Sequence, residues 1–540
     1  MDWSSIYEDT GEENGEWESL YETRLSVLTH FFAKDHENGY TPLVCYFFAI
    51  NFILGVGVLG MPFAFYASGI VLASLLVCSV TFLSLVTVLW NSEAMLRAEI
   101  LGLLPDMKSF SPAFAATPVM EASSLKPGPH NDSPFSFLPL DEWQKTQMNG
   151  KRERAFSNIS ELEVLGGEGG TSKCYEVTEL SKIYLGPWGK VCYQISLMGL
   201  MYVGLLAYSQ VFEKTLLAQL PWELPTSVAA GCFMLIVVPL SCLDLREQIT
   251  VQVAMSVIRF AAIAIMIFGS LYGIFYDPED NGSASATAPY ISDVKTSDFS
   301  GFGLMFSTVL FSQLFQHSVP GLIHPLTQKD KKAAPQIFFG ALATTCFLYL
   351  VLGTSCSMYF GSRTESAVNI NFSGFTWGVE SPSPGIALLL ECCTQLVVLF
   401  PGLDTLSVFP LIANTLGNNL ASANPKFKRF LRRRLKLKLS KKKILIFWRL
   451  VSSIPPILAS LVLTDLSLTF KYAGIVGIYV AFITPALLFW RSMLTCKRHQ
   501  ITSTTIYSWH FSKVEYAYVV LVISIVFLFV IVYQIVDAYR

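Results

Sequence analysis

Hydrophobic residues in this chain gather into runs of about 20 residues, and polar stretches separate one run from the next. A helix of that length crosses the hydrocarbon core of a bilayer, which is about 30 Å thick, at a rise of about 1.5 Å per residue. We therefore predict about eleven membrane-spanning helices, called spans 1 to 11. Their predicted ranges are 42–66, 69–95, 191–212, 226–243, 249–275, 300–326, 335–359, 384–412, 444–463, 468–490 and 516–536.

Lysine and arginine are concentrated in alternate loops, and cytosolic loops of membrane proteins show this bias. Basic residues follow spans 6, 8 and 10, whereas the opposite loops hold little beyond Lys214, Lys295 and Arg363. The amino terminus is therefore predicted to be cytosolic, and the carboxyl terminus to face outward or into a lumen. The chain then divides into a cytosolic acidic tail (1–41), spans 1 and 2 (42–95), a cytosolic loop (96–190), spans 3 to 11 (191–536, with a basic cytosolic loop at 413–443) and a short outward end (537–540).

The composition favours a membrane protein over a set of soluble domains. Hydrophobic residues make up 52% of the 540 residues and charged residues only 14%, so the apolar surface needs lipid to cover it. The net charge of -2 averages an acidic amino terminus against the basic run 425–443. That run interleaves cations with Phe and Leu, which favours binding to anionic lipid over binding to nucleic acid.

Two features are expected in the polar stretches. The segment 97–173 is rich in Pro, Gly and Ser and has no sustained period, so we predict that it is mostly disordered. Residues 175–190 have apolar positions at helical spacing and are predicted to form a short helix before span 3. Asn281 and Asn371 begin glycosylation sequons in the predicted outward loops.

The sequence contains no residue pattern that suggests catalysis in or beside the spans. Paired carboxylates, a Ser-His-Asp set and His or Cys clusters at metal-binding spacing are all missing there. We therefore predict that the protein is not an enzyme and has neither a metal centre nor a cofactor.

Span 1 contains helix-breaking residues near its middle. Gly55, Gly57, Gly60 and Pro62 follow Asn51 at a depth where a continuous helix would avoid them. Unwound backbone is tolerated in a membrane only where it is buried or lines a cavity, because lipid cannot satisfy the freed N–H and C=O groups. Either span 1 is unwound at a binding site, or the glycines only allow close helix packing.

Span 6 carries a second polar and helix-breaking cluster, Gln313–Gly321. Two breaks five spans apart suggest an inverted repeat, since five spans reverse the direction in which the next helix crosses. Secondary transporters with inverted repeats bind substrate at midplane between two discontinuous helices. The candidate substrate-binding residues are Asn51, Gly55, Val56, Gly57, Gly60, Gln313, Gln316, His317 and Ser318.

The residues around both breaks resemble those of a known family. The first-helix pattern Asn51-xxx-Gly55-x-Gly57-Val-Leu-x-Met61-Pro62 is similar to the amino acid/auxin permease family. Gln316-His317-Ser318-Val-Pro320, with Phe-Pro pairs in span 8, most resembles its divergent branch, the transmembrane protein 104 family. The resemblance implies an all-α membrane protein with a LeuT-like 5+5 inverted repeat plus one helix, in which helices 1 and 6 are broken.

Charged side chains inside the spans are candidates for ion coupling. Arg259 lies about 15 Å deep in span 5, and Glu391 in span 8 is proposed as its partner. In transporters that share the implied fold, a basic side chain on helix 5 can replace a sodium ion. Alternatively, Asp404 and Thr405, together with Ser407, form an oxygen-rich cation site. His317 is a candidate proton carrier, or it only hydrogen-bonds the freed carbonyls of span 6.

The sequence thus predicts a secondary transporter of amino acids or similar small solutes, either proton-coupled or ion-independent. The alternative is a transporter-like sensor or an orphan multi-pass protein that binds solute without moving it. We expect the protein in the plasma membrane or an endolysosomal membrane, with the solute and the lipid bilayer as partners. The oligomeric state is left open.

Overall fold

A computed structural model describes residues 41–102, 175–219, 225–242, 248–276, 294–327, 329–373, 375, 377, 383–424, 441–499 and 503–538. The regular elements in these ranges are helices. Most of the acidic tail, the segment 103–174, Asn281 and the basic residues 425–440 lie outside the described residues. The expectations for them therefore stay predictions.

The helices follow the predicted order of the spans. Spans 1 to 5 contain Pro42–Ile53 and Gly57–Ser68 (spans 1a and 1b), Ile70–Gly102, Val177–Gln219, Thr226–Cys242 and Gln248–Tyr276. Spans 6 to 11 contain Phe302–Ser312 and Val319–Ile323 (spans 6a and 6b), Ala334–Phe360, Pro384–Ala423, Lys441–Ser460, Leu466–Ile478 with Thr484–Arg498, and Val514–Ala538. A π-helical turn, Tyr479–Ile483, joins the two parts of span 10.

Eight of the described helices are long and apolar enough to cross a membrane, and the bent pair of spans 1a and 1b makes a ninth. The helix of span 4 has 17 residues. Span 6 is divided into helices of 11 and 5 residues. The predicted all-helical membrane protein is confirmed, whereas the count of eleven crossings stays a prediction.

The packing of the spans follows the predicted 5+5 repeat. Span 1 packs on spans 6 and 7, and Phe315 at the break of span 6 contacts the ring of Phe338 in span 7. Spans 3, 4, 8 and 9 form a second group. Span 5 bridges the groups by packing on spans 7 and 8. Span 10 is its counterpart, because it packs on span 3 and its Phe489 stacks on Trp90 of span 2. In a repeat of five spans, spans 5, 7 and 8 correspond to spans 10, 2 and 3. The contacts of span 5 and those of span 10 therefore follow the same pattern.

Both predicted breaks are present. Spans 1a and 1b meet at an angle of 56°. Span 6a ends at Ser312, and only a 3-10 turn, Gln316–Ser318, precedes span 6b. The LeuT-like fold class is therefore confirmed at its most distinctive feature.

Several helices are longer than their hydrophobic runs. A helix that begins at Val177 precedes span 3, as predicted for residues 175–190, and Gly186, with a non-helical φ of 78°, separates the two. Span 3 itself continues to Gln219, beyond the predicted end at 212. Span 8 extends for 40 residues, to Ala423 instead of 412. Hydropathy measures the part of a helix that lipid can cover, so it does not detect helix that continues into water.

A buried ion pair lies at the predicted cytosolic end of span 2. Arg97 donates to Glu93 at 2.5 Å, and their side chains are 1% and 0% exposed. Ser508 and Ser512 donate to the Glu93 carboxylate at 3.0 and 2.5 Å. Arg97 also donates to the Ser503 carbonyl at 3.0 Å. The pair therefore fastens the segment 503–512 to span 2.

The entry to span 6 depends on an exposed pair. Asp298 accepts a hydrogen bond from Lys295 at 2.5 Å and one from the Ser300 backbone N–H at 2.9 Å. The bond from Lys295, followed by those from Ser300, lowers the pKa of Asp298, and the bond to Asp298 raises the pKa of Lys295. Asp298 thus caps the turn that leads into span 6a.

Replacing Arg97 by Met should destabilise the protein by about 3–5 kcal/mol, because it leaves the Glu93 carboxylate buried without a cation. Thermal unfolding of the purified protein in detergent measures the effect. Lys295→Met is the control, since it breaks an ion pair whose lysine is 67% exposed. Equal unfolding temperatures for the two variants would contradict the structural role of Arg97.

Candidate functional site

The break in span 1 is a tight turn at Leu54. Leu54 has φ -77° and ψ 73°, an inverse γ-turn conformation, and the Gly55 N–H donates to the Ile53 carbonyl at 2.9 Å. The helical hydrogen-bond ladder stops here, so carbonyl oxygens at the end of span 1a need donors from other spans.

Arg259 of span 5 supplies most of these donors. Its Nη1 donates to Oδ1 of Asn51 at 2.9 Å, to the Asn51 carbonyl at 3.4 Å and to the Leu54 carbonyl. Its Nη2 donates to both carboxylate oxygens of Asp404 in span 8, at 2.7 and 2.9 Å. Arg259 is 4% exposed, so the deep arginine faces protein, as predicted. Its positive charge also lies at the carbonyl end of span 1a, which carries partial negative charge.

The predicted partner of Arg259, Glu391, is wrong. Glu391 is exposed and accepts a hydrogen bond from Gln395 at 2.8 Å. It precedes Asp404 by 13 residues on one helix, which is about 20 Å along the axis. The prediction assumed that span 8 ends at 412. The helix continues to Ala423, which places Asp404 at its middle.

The ion pair between Arg259 and Asp404 also changes the alternative prediction, in which Asp404, Thr405 and Ser407 form an oxygen-rich cation site. The Asp404 carboxylate is bound by the guanidinium group, and the Thr405 hydroxyl donates to the Gly402 carbonyl at 2.7 Å. The cation at this position is therefore the side chain of Arg259.

Tyr349 of span 7 joins the two broken helices. Its buried hydroxyl lies 3.1 Å from the Ile53 carbonyl, in the break of span 1, and 3.1 Å from the Ser312 carbonyl, at the end of span 6a. Its single proton serves one of these acceptors at a time. Sequence reasoning missed Tyr349 because a tyrosine in an apolar run carries no signal of what its hydroxyl contacts.

Polar residues of span 2 form hydrogen bonds with residues at the break in span 6. Asn91 donates to the Gln316 carbonyl at 3.2 Å. The side chain of Gln313 donates to Thr81 at 2.6 Å, and that of Gln316 donates to Thr87 at 3.4 Å. These polar residues of span 2 were also missed, because they are scattered through an apolar run.

The predicted groove residues do not all line one cavity. A small cavity between spans 1, 3, 5 and 8 is lined by Gly55, Val56, Tyr208, Arg259 and Asp404, among others. The space open to water centres is about 10 Å³, roughly what one water molecule needs. Residues of span 6 do not line this cavity, so the structure brings only one of the two breaks to it.

His317 and Ser318, the other predicted contacts of span 6, are half-buried beside the break. Nδ1 of His317 has no hydrogen-bond partner within the part of the chain that the structure describes. That nitrogen does not bond a freed carbonyl.

The glycines of span 1 have different roles. A Cβ at Gly57 would overlap the Ser312 hydroxyl and lie 3.2 Å from the Ser312 Cα. A Cβ at Gly60 would overlap the ring of Phe470 in span 10. A Cβ at Gly55 would meet only the Tyr208 hydroxyl, at 3.4 Å. Close packing therefore explains Gly57 and Gly60, while Gly55 faces the cavity.

These features define a transporter-like, multi-pass helical membrane protein with two discontinuous helices. Relatives named transmembrane protein 104 from several species confirm the predicted resemblance. A "Transmembrane protein 104 homolog" from Dictyostelium discoideum is 23% identical over 538 residues, covering 93% of this chain and 98% of that protein. A homolog from Drosophila melanogaster is 22% identical and covers 85% and 89%. "Transmembrane protein 104" from Mus musculus is 22% identical and covers 70% and 74%.

No family model matches the chain. Among solved structures, the inward-facing conformation of Mhp1 gives a TM-score of 0.45 at 11% identity, covering 92% of this chain and 91% of that one. An Eremococcus coleocola manganese transporter, in complex with an aromatic bis-isothiourea substituted compound, gives 0.43 at 13% identity, covering 92% and 88%.

Gly57→Ala should destabilise the protein by about 1–3 kcal/mol, because the added methyl group forces span 1b away from span 6a. Adding Ser312→Gly to this variant should restore part of the loss, since it removes the atoms that the methyl group meets. Thermal unfolding measures both effects. Gly321→Ala is the matched control, because nothing lies within 4 Å of its added Cβ. A Gly57→Ala variant as stable as this control would contradict the packing role.

Tyr349→Phe should cost about 1–3 kcal/mol, because it removes the buried hydroxyl donor that the Ile53 and Ser312 carbonyls share. The shift in unfolding temperature measures this cost. Tyr533→Phe removes a hydroxyl from a side chain that is 68% exposed and should change little. If both variants unfold at the wild-type temperature, Tyr349 does not hold the breaks.

Proposed function

We propose that the protein is a secondary transporter of amino acids or similar small solutes and that it works without a bound sodium ion. The observation that carries this proposal is the guanidinium group of Arg259 at the break in span 1. It binds the Asn51 and Leu54 carbonyls and the Asp404 carboxylate together.

This set of oxygens is of the kind that holds sodium in transporters with broken helices, where unwound carbonyls and half-helix carboxyl ends coordinate the ion. A guanidinium group supplies the same positive charge from a covalently attached side chain. It neutralises Asp404 and the end of span 1a throughout the transport cycle. The solute can then bind without a metal cation at this position.

The solute itself is proposed to bind at Gly55. The amino end of span 1b, which follows it, favours a carboxylate. Because the cavity at Gly55 has room for about one water molecule, binding requires the two groups of spans to separate. That movement would bring Gln313, Gln316, His317 and Ser318 to the solute and is the alternating-access step of inverted-repeat transporters.

The orientation and surroundings in the membrane are part of the proposal. The amino terminus is cytosolic, the carboxyl terminus faces outward or into the lumen of an endolysosomal compartment, and the run 425–443 contacts anionic lipid. Asn371 is the glycosylation candidate among the described residues. Its side chain donates to the Arg363 carbonyl at 2.8 Å and accepts from the Glu365 N–H at 2.9 Å.

Uptake of a labelled amino-acid mixture into proteoliposomes should be equally fast in sodium and in choline medium. Arg259→Met should abolish uptake in both media, because Asp404 and the end of span 1a lose their positive charge. Arg491→Met, which changes an exposed arginine stacked on Trp490, is the control. Uptake by the wild type that requires sodium would contradict the proposal, and saturable binding without uptake would favour the sensor.

A further inference from the structure

A second buried carboxyl group lies in span 3, outside the site described above. Glu213 is 3% exposed and lies six residues before the end of its helix at Gln219. It follows Tyr208, which lines the cavity, by five residues, or about 7.5 Å along the helix axis. The predicted orientation places it on the outward side.

The hydrogen bonds of Glu213 depend on one hydroxyl proton. Oγ of Ser460, in span 9, lies 2.5 Å from Oε1 of Glu213 and 2.7 Å from the Ile457 carbonyl. A serine hydroxyl donates only one proton. If Glu213 is ionised, the one hydroxyl proton serves either the carboxylate or the Ile457 carbonyl at a time. If Glu213 is protonated, both contacts are full hydrogen bonds at once, because Glu213 donates to Ser460 Oγ and Ser460 donates to Ile457.

The surroundings also favour a protonated carboxyl group. Within the ranges that the structure describes, no lysine or arginine forms an ion pair with Glu213. The nearest cation in sequence, Lys214, donates to Ser366 at 2.7 Å. Among the described residues, the charged groups on the outward half of span 3 and its neighbouring elements include Lys214, Arg363, Glu365, Glu391, Asp465 and Lys471. Arg259 and Asp404 are paired with each other at midspan.

We propose that Glu213 is the proton-binding site of the transport cycle, with Ser460 as its positioning residue. The proton passes from water on the outward side to the Glu213 carboxylate and later returns to water. When it leaves, the Ser460 hydroxyl turns its own proton from the Ile457 carbonyl to the Glu213 oxygen. This inference rests on the proposed transport function.

Proton release would couple to movement because it leaves a negative charge buried without a cation to balance it, although Ser460 still donates to it. An isolated carboxylate is costly in a low-dielectric interior, so the deprotonated state favours entry of water between spans 3 and 9. The same spans are joined a turn away, where Gln210 donates to the Leu463 carbonyl. Thr215, two residues beyond Glu213, packs against Gly402 of span 8. Loss of the proton therefore loosens span 3 at its contacts with both neighbours.

The test compares two kinds of transport by the full-length protein in proteoliposomes, with a labelled amino-acid mixture as probe. Glu213→Gln imitates the protonated state, so it should lose stimulation by a pH gradient while exchange of internal for external amino acids continues. Ser460→Ala should shift the pH at which stimulation is half-maximal. Glu365→Gln, in the exposed outer loop, is the control. Wild-type gradient stimulation in Glu213→Gln would overturn the proposal.

A second measurement does not depend on transport. Infrared difference spectra of the protein in lipid, recorded as the pH is changed, detect the C=O stretch of a protonated carboxyl group. A titrating band that is missing in Glu213→Gln and shifted in Ser460→Ala supports the proton site. This holds even if no variant exchanges amino acids, because failure of exchange counts only against the transport function. The absence of any band that depends on Glu213 would overturn the proton site.

Discussion

The backbone carbonyl groups freed at the break in span 1 are the constraint on which the rest of the structure depends. A carbonyl left without a donor inside a membrane costs several kcal/mol, roughly 2–7 by transfer measurements, and lipid cannot supply the donor. Arg259 binds the Asn51 and Leu54 carbonyls, and Tyr349 reaches the Ile53 carbonyl. Spans 5 and 7 are therefore fixed around the break, and Asp404 adds span 8 because it balances the charge of Arg259.

The same contacts connect the fold to the proposed function. The guanidinium group of Arg259 balances the charge of Asp404 at the break in span 1, and in the proposed transporter the solute binds beside this pair, at the open face of Gly55. Tyr349 carries the connection to span 6a, which means that the two discontinuous helices share one hydroxyl at their breaks. A movement that opens one break must rearrange the donor of the other. Alternating access requires coupling of this kind between the two halves of an inverted repeat.

Much of this architecture could be predicted from the sequence, because apolar length, glycine, proline and basic loops act locally. Both breaks and the depth of Arg259 follow from such signals. The partner of Arg259 could not be predicted in this way. Asp404 lies at the middle of span 8 only because the helix continues beyond its apolar run, to Ala423. Glu213 was missed for the same reason, since the predicted span 3 stops at residue 212. The roles of Gly57 and Gly60 depend on Ser312 and Phe470, which are distant in sequence and meet them only in the folded protein.

The central claim is that a side chain, and not a metal cation, occupies the position at the break in span 1. The most direct measurement is an experimental density map of the purified protein in a lipid nanodisc, prepared in sodium-containing buffer. The account predicts continuous density from the guanidinium group of Arg259 to the Asp404 carboxylate and the Leu54 carbonyl. An Arg259 side chain turned away from the break, with a separate density coordinated by those oxygens, would contradict it.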